Sequence, residues 1–207
     1  MAADYRQRSG LVLGFHGCDR EVGEKILASN SEHLRLSTND YDWLGQGVYF
    51  WENDPQRALE FAQEAHKKPK LSKGYIAEPF VIGAVLDLRF CLDMQERTAL
   101  DELEFAYELL ELRFRTEGKP MPVNKGQDRG QRFLDGAVID ALHRIRELLN
   151  REKSSFGQFP PYHSVRGAFW EGGELFPGAA GFQKKSHVQI AVRDVASCIK
   201  GYFRPLV

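Results

Sequence analysis

The chain has 207 residues, of which 43% are hydrophobic, 28% charged and 12% aromatic, an ordinary globular composition with enough length for a sizeable core. Lys plus Arg number 28 and Asp plus Glu 29, for a formal net charge of -1. This excludes a bulk-basic nucleic-acid protein and leaves only a local basic patch as a route to nucleic acid. No apolar run approaches the roughly 18 residues that span a membrane. Residues 1–12 also lack the apolar stretch of a signal peptide, so a cytoplasmic location is expected.

In chain order, residues 11–15 (LVLGF) read as a buried strand ending at His16-Gly17. Asp19 can cap a following helix whose apolar face holds Val22, Ile26 and Leu27. Gly45 and Gly47 precede Val48-Tyr49-Phe50-Trp51, a turn opening into an aromatic strand. Asp54 and Pro55 then start a helix that carries Ala58, Leu59, Phe61, Ala62 and Ala65. Residues 67–73 (KKPKLSK) form a basic linker, and 80–88 (FVIGAVLDL) a strand covered on both faces.

From 92 to about 116 the apolar period is helical, through Leu100, Leu103, Ala106, Tyr107, Leu110 and Phe114. Loops are expected at 118–129 and 154–162, with a second helix at 132–149 between them. Residues 165–170 and 187–192 read as strands flanking a flexible glycine-rich loop at 172–181, and 198–203 as a closing strand. The expected fold class is α+β: one domain over 1–207, with a helical insertion at about 92–155.

Most chemistry-bearing residues have a plain structural reading. His33, His66 and His143 are isolated and lack zinc-ligand spacing, so no metal site is expected. Cys18, Cys91 and Cys198 are odd in number and far apart, which fits reduced thiols. The Gly45-Gln46-Gly47 pair precedes a strand and lacks a third glycine, unlike a dinucleotide fingerprint. Taken alone, Tyr49 reads as core packing.

The ordered combination carries more. Residues 14–27 (GFHGCDREVGEKIL), 41–62 (YDWLGQGVYFWENDPQRALEFA), 164–178 (SVRGAFWEGGELFPG) and 184–194 (KKSHVQIAVRD) together resemble the ADP-ribosyltransferase superfamily. The similarity is to its His-Tyr-Glu branch, the diphtheria toxin and poly(ADP-ribose) polymerase type, and covers about half the chain. The resemblance implies a small split sheet holding NAD as co-substrate. His16 would bond the adenosine-side ribose, Gly17 the nicotinamide carboxamide through its backbone, and Tyr49 would stack on the nicotinamide. Gly45 and Gly47 would shape the cofactor site. Phe61 would be a second aromatic, and Tyr41 and Trp43 would lie in the loop covering the nucleotide. Glu171 and Glu174 would sit in a substrate-facing loop.

The sequence departs from the family at Gln189, where the branch has glutamate. Glutamine can bond a ribose hydroxyl but carries no charge, so single-unit transfer is expected rather than polymer formation, with Glu171 or Glu174 as alternative sources of a carboxylate. The resemblance therefore implies a mono-ADP-ribosyltransferase acting on a protein or nucleic-acid acceptor. Small transferases of this kind are often toxins with a cognate inhibitor or antitoxin. The alternative is a catalytically weak NAD- or ADP-ribose-binding module acting through partners. Residues 67–73 with Arg113, Arg115, Arg129 and Arg132 would be the basic patch for a nucleic-acid acceptor.

Overall fold

A computed structural model of the chain describes residues 10–29, 31–37, 39–72, 74–126, 130–151 and 159–207. The sequence-based expectations at 1–9, Lys73, 127–129 (with Arg129) and 154–158 lie outside these residues.

Asp19 and Asp54 both act as predicted. Each carboxylate accepts from a backbone N–H in the first helical turn, Glu21 and Arg57 respectively. They start helices α1 (Arg20–Leu27) and α2 (Pro55–Lys67), and Asp19 is also the last residue of the strand before it. The strands are β1 (Val12–Asp19), β2 (Val48–Glu52), β3 (Pro79–Leu86), β4 (Cys91–Asp93), β5 (Ser164–Phe169), β6 (His187–Val192) and β7 (Ile199–Phe203). The long helices α3 (Arg97–Thr116) and α4 (Phe133–Arg151) lie between β4 and β5 in the chain, and the single turn α5 (Val195–Cys198) leads into β7. The described residues form one mixed α+β arrangement around a seven-stranded sheet of order β4-β5-β6-β2-β1-β3-β7. Its neighbours are antiparallel except β4 and β5.

Several expectations need correction. His16 and Gly17 do not end a strand: β1 continues to Asp19 because β3 pairs with it over its whole length, from Val12↔Leu86 to Asp19↔Pro79. The short strand β4 precedes α3, where a continuous helical segment was expected. Its three residues are all buried, and so short an apolar run carries no period of its own. The α1 residue Val22 is exposed, as are Leu100 and Tyr107 on α3. Helix α3 is covered on one side by α4, so only the stripe through Ala99, Ala106 and Leu110 is buried, with Leu103 and Phe114 packed beside it. The loop at 172–181 is tied as a hairpin by the Glu174↔Gln183 bridge and by Leu175 N–H donating to Phe182 O at 3.0 Å.

The two sheet faces are covered differently. Val48, Phe50, Ile82, Leu86, Ile190 and Val192 fill one face beneath Ile26 of α1 and Leu34. The other face is divided. Helix α2 packs Ala58 against Phe15, Trp51 and Val81, while α3 and α4 pack Leu110, Val138, Ile139 and Leu142 against Leu92, Val165 and Ala191. Gly17 permits the first contact: a Cβ there would lie 2.2 Å from the carbonyl oxygen of Ala58. The three cysteines are buried thiols, and burial pushes Cys18 and Cys198 up to about 12.

Candidate functional site

Strand β1 treats its two neighbours unequally. It pairs with β3 at eight successive positions but with β2 only at Gly14↔Glu52 and Phe15↔Trp51. Asn53 N–H donates to Leu13 O at 2.9 Å across the β1–β2 seam, so the backbone groups of residues 13, 15 and 17 point toward β2 by strand alternation. Beyond Phe15 the seam parts, and the Gly17 edge faces β2 without a ladder pair. The His16 side chain spans the parting seam: its Nδ1 donates to the carbonyl of Tyr49 at 2.7 Å. A carbonyl can only accept, so in the neutral ring Nδ1 carries the proton and Nε2 the lone pair. Burial lowers the His16 pKa against the opposing effect of that hydrogen bond.

His16 and Tyr49 meet through backbone, not through their rings. Residues opposite one another in a ladder share a face. Counting from Phe15↔Trp51, His16 lies on the face of Phe50, with ring centroids 5.9 Å apart, and Tyr49 on the other. The Tyr49 hydroxyl donates to Gly45 O at 2.8 Å and accepts from Leu44 N–H at 3.0 Å. Burial, then Asp42, raises its pKa well above the usual tyrosine value. Tyr49 therefore pins the 44–47 turn. The two glycines of that turn have packing reasons of their own. Gly45 has φ +72 and faces Asp140 Oδ1, and a Cβ at Gly47 would meet that of Ala191 at 3.0 Å.

One ladder step along, Trp51 lies opposite Gln189, which lies opposite Gly167. The absent side chain at Gly167 admits the Trp43 indole, whose ring edge a Cβ there would meet at 2.6 Å. Trp43 Nε1–H donates to Gln189 Oε1 at 2.6 Å. Because the indole is only a donor, this bond fixes the amide orientation and leaves the Gln189 NH2 as donors. Phe61 packs its ring 5.1 Å from that of Trp51. Tyr41 lies farther out, half-buried, in edge contact with Phe133 at 6.4 Å.

The two loop glutamates are in different settings. Glu174 caps the hairpin, accepting from Gly178 N–H at 3.1 Å. Glu171 turns inward and binds the Arg57 guanidinium through Nε at 3.2 Å and through Nη2. Around this pair the fold places a group that the motif comparison did not include. His187 lies with Nδ1 3.9 Å from Glu171 Oε1 and its ring stacked on Phe169 at 5.5 Å, and Trp51 lies 6.0 Å from the His187 ring. One signal was visible in the sequence: Arg57 lies in the first turn of α2, directly before the buried Ala58, on a face otherwise built for packing.

Two arginines of the expected basic patch have partners within the fold. Arg113 pairs with Glu117 on α3 at 2.7 Å. The Arg132 guanidinium lies over the rings of Phe169 and Trp43, at 4.2 and 5.2 Å. Among the described residues no group of three or more His, Cys, Asp or Glu is arranged to hold a metal ion, and no helix is long and apolar enough to cross a membrane. Comparison of the chain with protein-family models, curated proteins and solved structures finds no match in any of the three.

Proposed function

We propose that the chain is an NAD-dependent mono-ADP-ribosyltransferase, with its site at the parted β1–β2 seam. The observation that carries this reading is the juxtaposition at the seam. The ladder stops after Phe15↔Trp51, the Gly17 backbone edge faces the gap, His16 bridges to Tyr49 O, and Gln189 lies opposite Trp51. An unpaired strand edge offers one N–H and one C=O to a flat amide ligand. Gly45 and Gly47 help close the turn beside it, and Trp43 and Phe61 are the aromatics nearest it, with Tyr41 farther out.

In the proposed reaction the bond between nicotinamide nitrogen and ribose C1′ breaks, and its electron pair leaves with nicotinamide. The positive charge on the ribose resembles that of glycoside cleavage. The acceptor's nucleophilic atom then bonds C1′ and gives up its proton to solvent. Gln189 orients the ribose hydroxyls through its NH2, a neutral bond worth about 0.5–1.5 kcal/mol net. With no carboxylate at position 189, slow transfer of single units is the outcome.

A protein acceptor is favoured over a nucleic acid. The hairpin containing Glu171 and Glu174 exposes Leu175, Phe176 and Phe182 at the sequence end of β5, an apolar tip suited to a protein surface, while Arg113 and Arg132 are engaged elsewhere. A toxin role with a cognate inhibitor, in the cytoplasm, is the biological setting we propose. The second reading is a catalytically weak NAD- or ADP-ribose-binding module. It draws on the Trp43–Gln189 bond, which removes the acceptor atom from Gln189.

The test is incubation of the purified chain with labelled NAD and cell lysate, followed by separation of protein and nucleic-acid fractions. Nicotinamide release with label in protein supports transfer. Binding of NAD without release supports the second reading. Neither binding nor release rejects both.

A further inference from the structure

Helix α3 carries apolar side chains on two sides. Ala99, Ala106 and Leu110 are buried on the side that α4 covers. Phe105, Leu109 and Leu112 are 53%, 38% and 48% exposed. With 3.6 residues per turn these three fall within about 60° of one another, on a stripe centred roughly 120° from the buried one. Their spacing, i, i+4 and i+7, is that of the apolar positions in a two-helix contact. The stripe is bounded at both ends. Glu102, before Phe105, pairs with Arg146 at 2.7 Å, and the Thr116 hydroxyl, after Leu112, donates to Leu112 O at 2.8 Å.

The charges beside the stripe decide what covers it. Asp101 pairs with Arg97 at 2.8 Å and Arg113 with Glu117 at 2.7 Å, so both are satisfied within the helix. Glu108 and Arg115 are exposed on one and the same flank, and no ion pair engages either among the described residues. Seven residues separate them, about 10 Å along the axis, too far for the two to pair with each other.

A second copy of the helix satisfies both. A two-fold axis between antiparallel helices keeps equivalent flanks together and reverses their direction. With Leu109 opposite Leu112 of the second copy, Glu108 lies within one helical turn of Arg115 of the second copy, and the symmetry makes this pair twice. Helical side chains lean toward the N-terminus of their own helix, which carries the guanidinium toward that carboxylate. The same register sets Phe105 over Thr116 of the second copy. A purely basic partner would face Arg115 with like charge, and a purely acidic one would face Glu108 with like charge. The flank calls for both signs in reversed order, and α3 itself supplies them.

We infer that this face of α3 is the contact between two copies of the chain, packed antiparallel through Phe105, Leu109 and Leu112 and held in register by Glu108 and Arg115. Three apolar side chains a copy make a small contact, so the dimer is weak, dissociating in the micromolar range. The inference is independent of the proposed reaction with NAD.

The experiment is sedimentation velocity of the full chain over a concentration series from micromolar to millimolar. Wild type is expected to pass from monomer to dimer, and added salt to weaken the dimer. Leu109→Glu is expected to keep the chain monomeric throughout. Glu108→Arg and Arg115→Glu each turn two attractive pairs into two repulsive ones, and each is expected to weaken the dimer about tenfold. Both positions are exposed, so Tm should hardly move. An equimolar mixture of these two variants again opposes unlike charges across the contact. It is expected to associate about as tightly as wild type, as is the double substitution Glu108→Arg with Arg115→Glu. A chain monomeric at every concentration overturns the inference and leaves this face to a different protein. A dimer that persists in Leu109→Glu overturns it as well, as does a mixture that associates no more tightly than the separate variants.

Discussion

The two seams of β1 differ in length by a factor that decides what each can do. Toward β3 the ladder runs the length of the strand and is sealed by α2 through the Gly17 contact. Toward β2 it stops after two pairs, and the edge beyond is spanned by an imidazole. A full ladder satisfies every backbone group and offers nothing to a ligand. The parted seam lies in the same strand, among the same apolar neighbours, and differs only in what pairs with it. A strand closed on one side and open on the other is thus a rigid support for a binding edge.

The largest expected effect breaks the packing of α2 on β1. Gly17→Val places atoms inside contact distance of the Ala58 carbonyl and should displace α2. The expected cost is about 3 kcal/mol or more, read as a fall in Tm of roughly 10 °C for a chain of this size. His16→Ala tests the open seam. It should leave Tm within a few degrees, because one hydrogen bond is worth about 1 kcal/mol, while NAD affinity falls at least tenfold in calorimetry. Equal losses of stability at both positions would remove the distinction between the packed face of β1 and its open edge.

Acidification separates the same regions more finely. Burial is the leading cause of the lowered pKa values of His16, His143 and His187. Each binds its proton more readily in the unfolded chain than in the folded one. Stability therefore falls as pH drops below the unfolded value of about 6.5 and levels off below the folded value. Within that window each such histidine contributes a slope of up to about 1.4 kcal/mol per pH unit. The lowered carboxylates Asp19 and Asp194 add their own loss only as pH falls below the unfolded Asp value of about 4. Thermal melts between pH 7 and pH 5 should show the histidine part, and His143→Leu should flatten it by removing the contribution from the helical side of the sheet.

The smallest effect concerns Gln189. Gln189→Glu can still accept from the Trp43 indole and should leave Tm nearly unchanged. It places a carboxylate beside the proposed ribose position, and nicotinamide release should rise or hold. Gln189→Ala should reduce release only moderately. Release abolished by Glu171→Ala but untouched by Gln189→Ala would move the charge-bearing role to the loop.

How much was legible follows from the range of each interaction. Asp19, Asp54 and Pro55 mark their helices in the sequence because capping acts within three residues. Strands β3 and β6 are legible from their apolar patterns, and Leu110, Val138, Ile139 and Leu142 are buried as their helical period implies. The motif residues could be named, but not the faces on which they lie. Which side of a sheet a residue occupies depends on ladder register, set by strands far apart in sequence. The tertiary structure therefore decided that His16 meets the carbonyl of Tyr49 rather than its ring, and that Trp43, 146 positions from Gln189, orients its amide. It decided equally that Arg57, Glu171 and His187, each unremarkable in its own segment, come together. Local chemistry marks where the capped helices begin; only the packing of distant segments sets where a strand ends and brings donors and acceptors together or leaves them without partners.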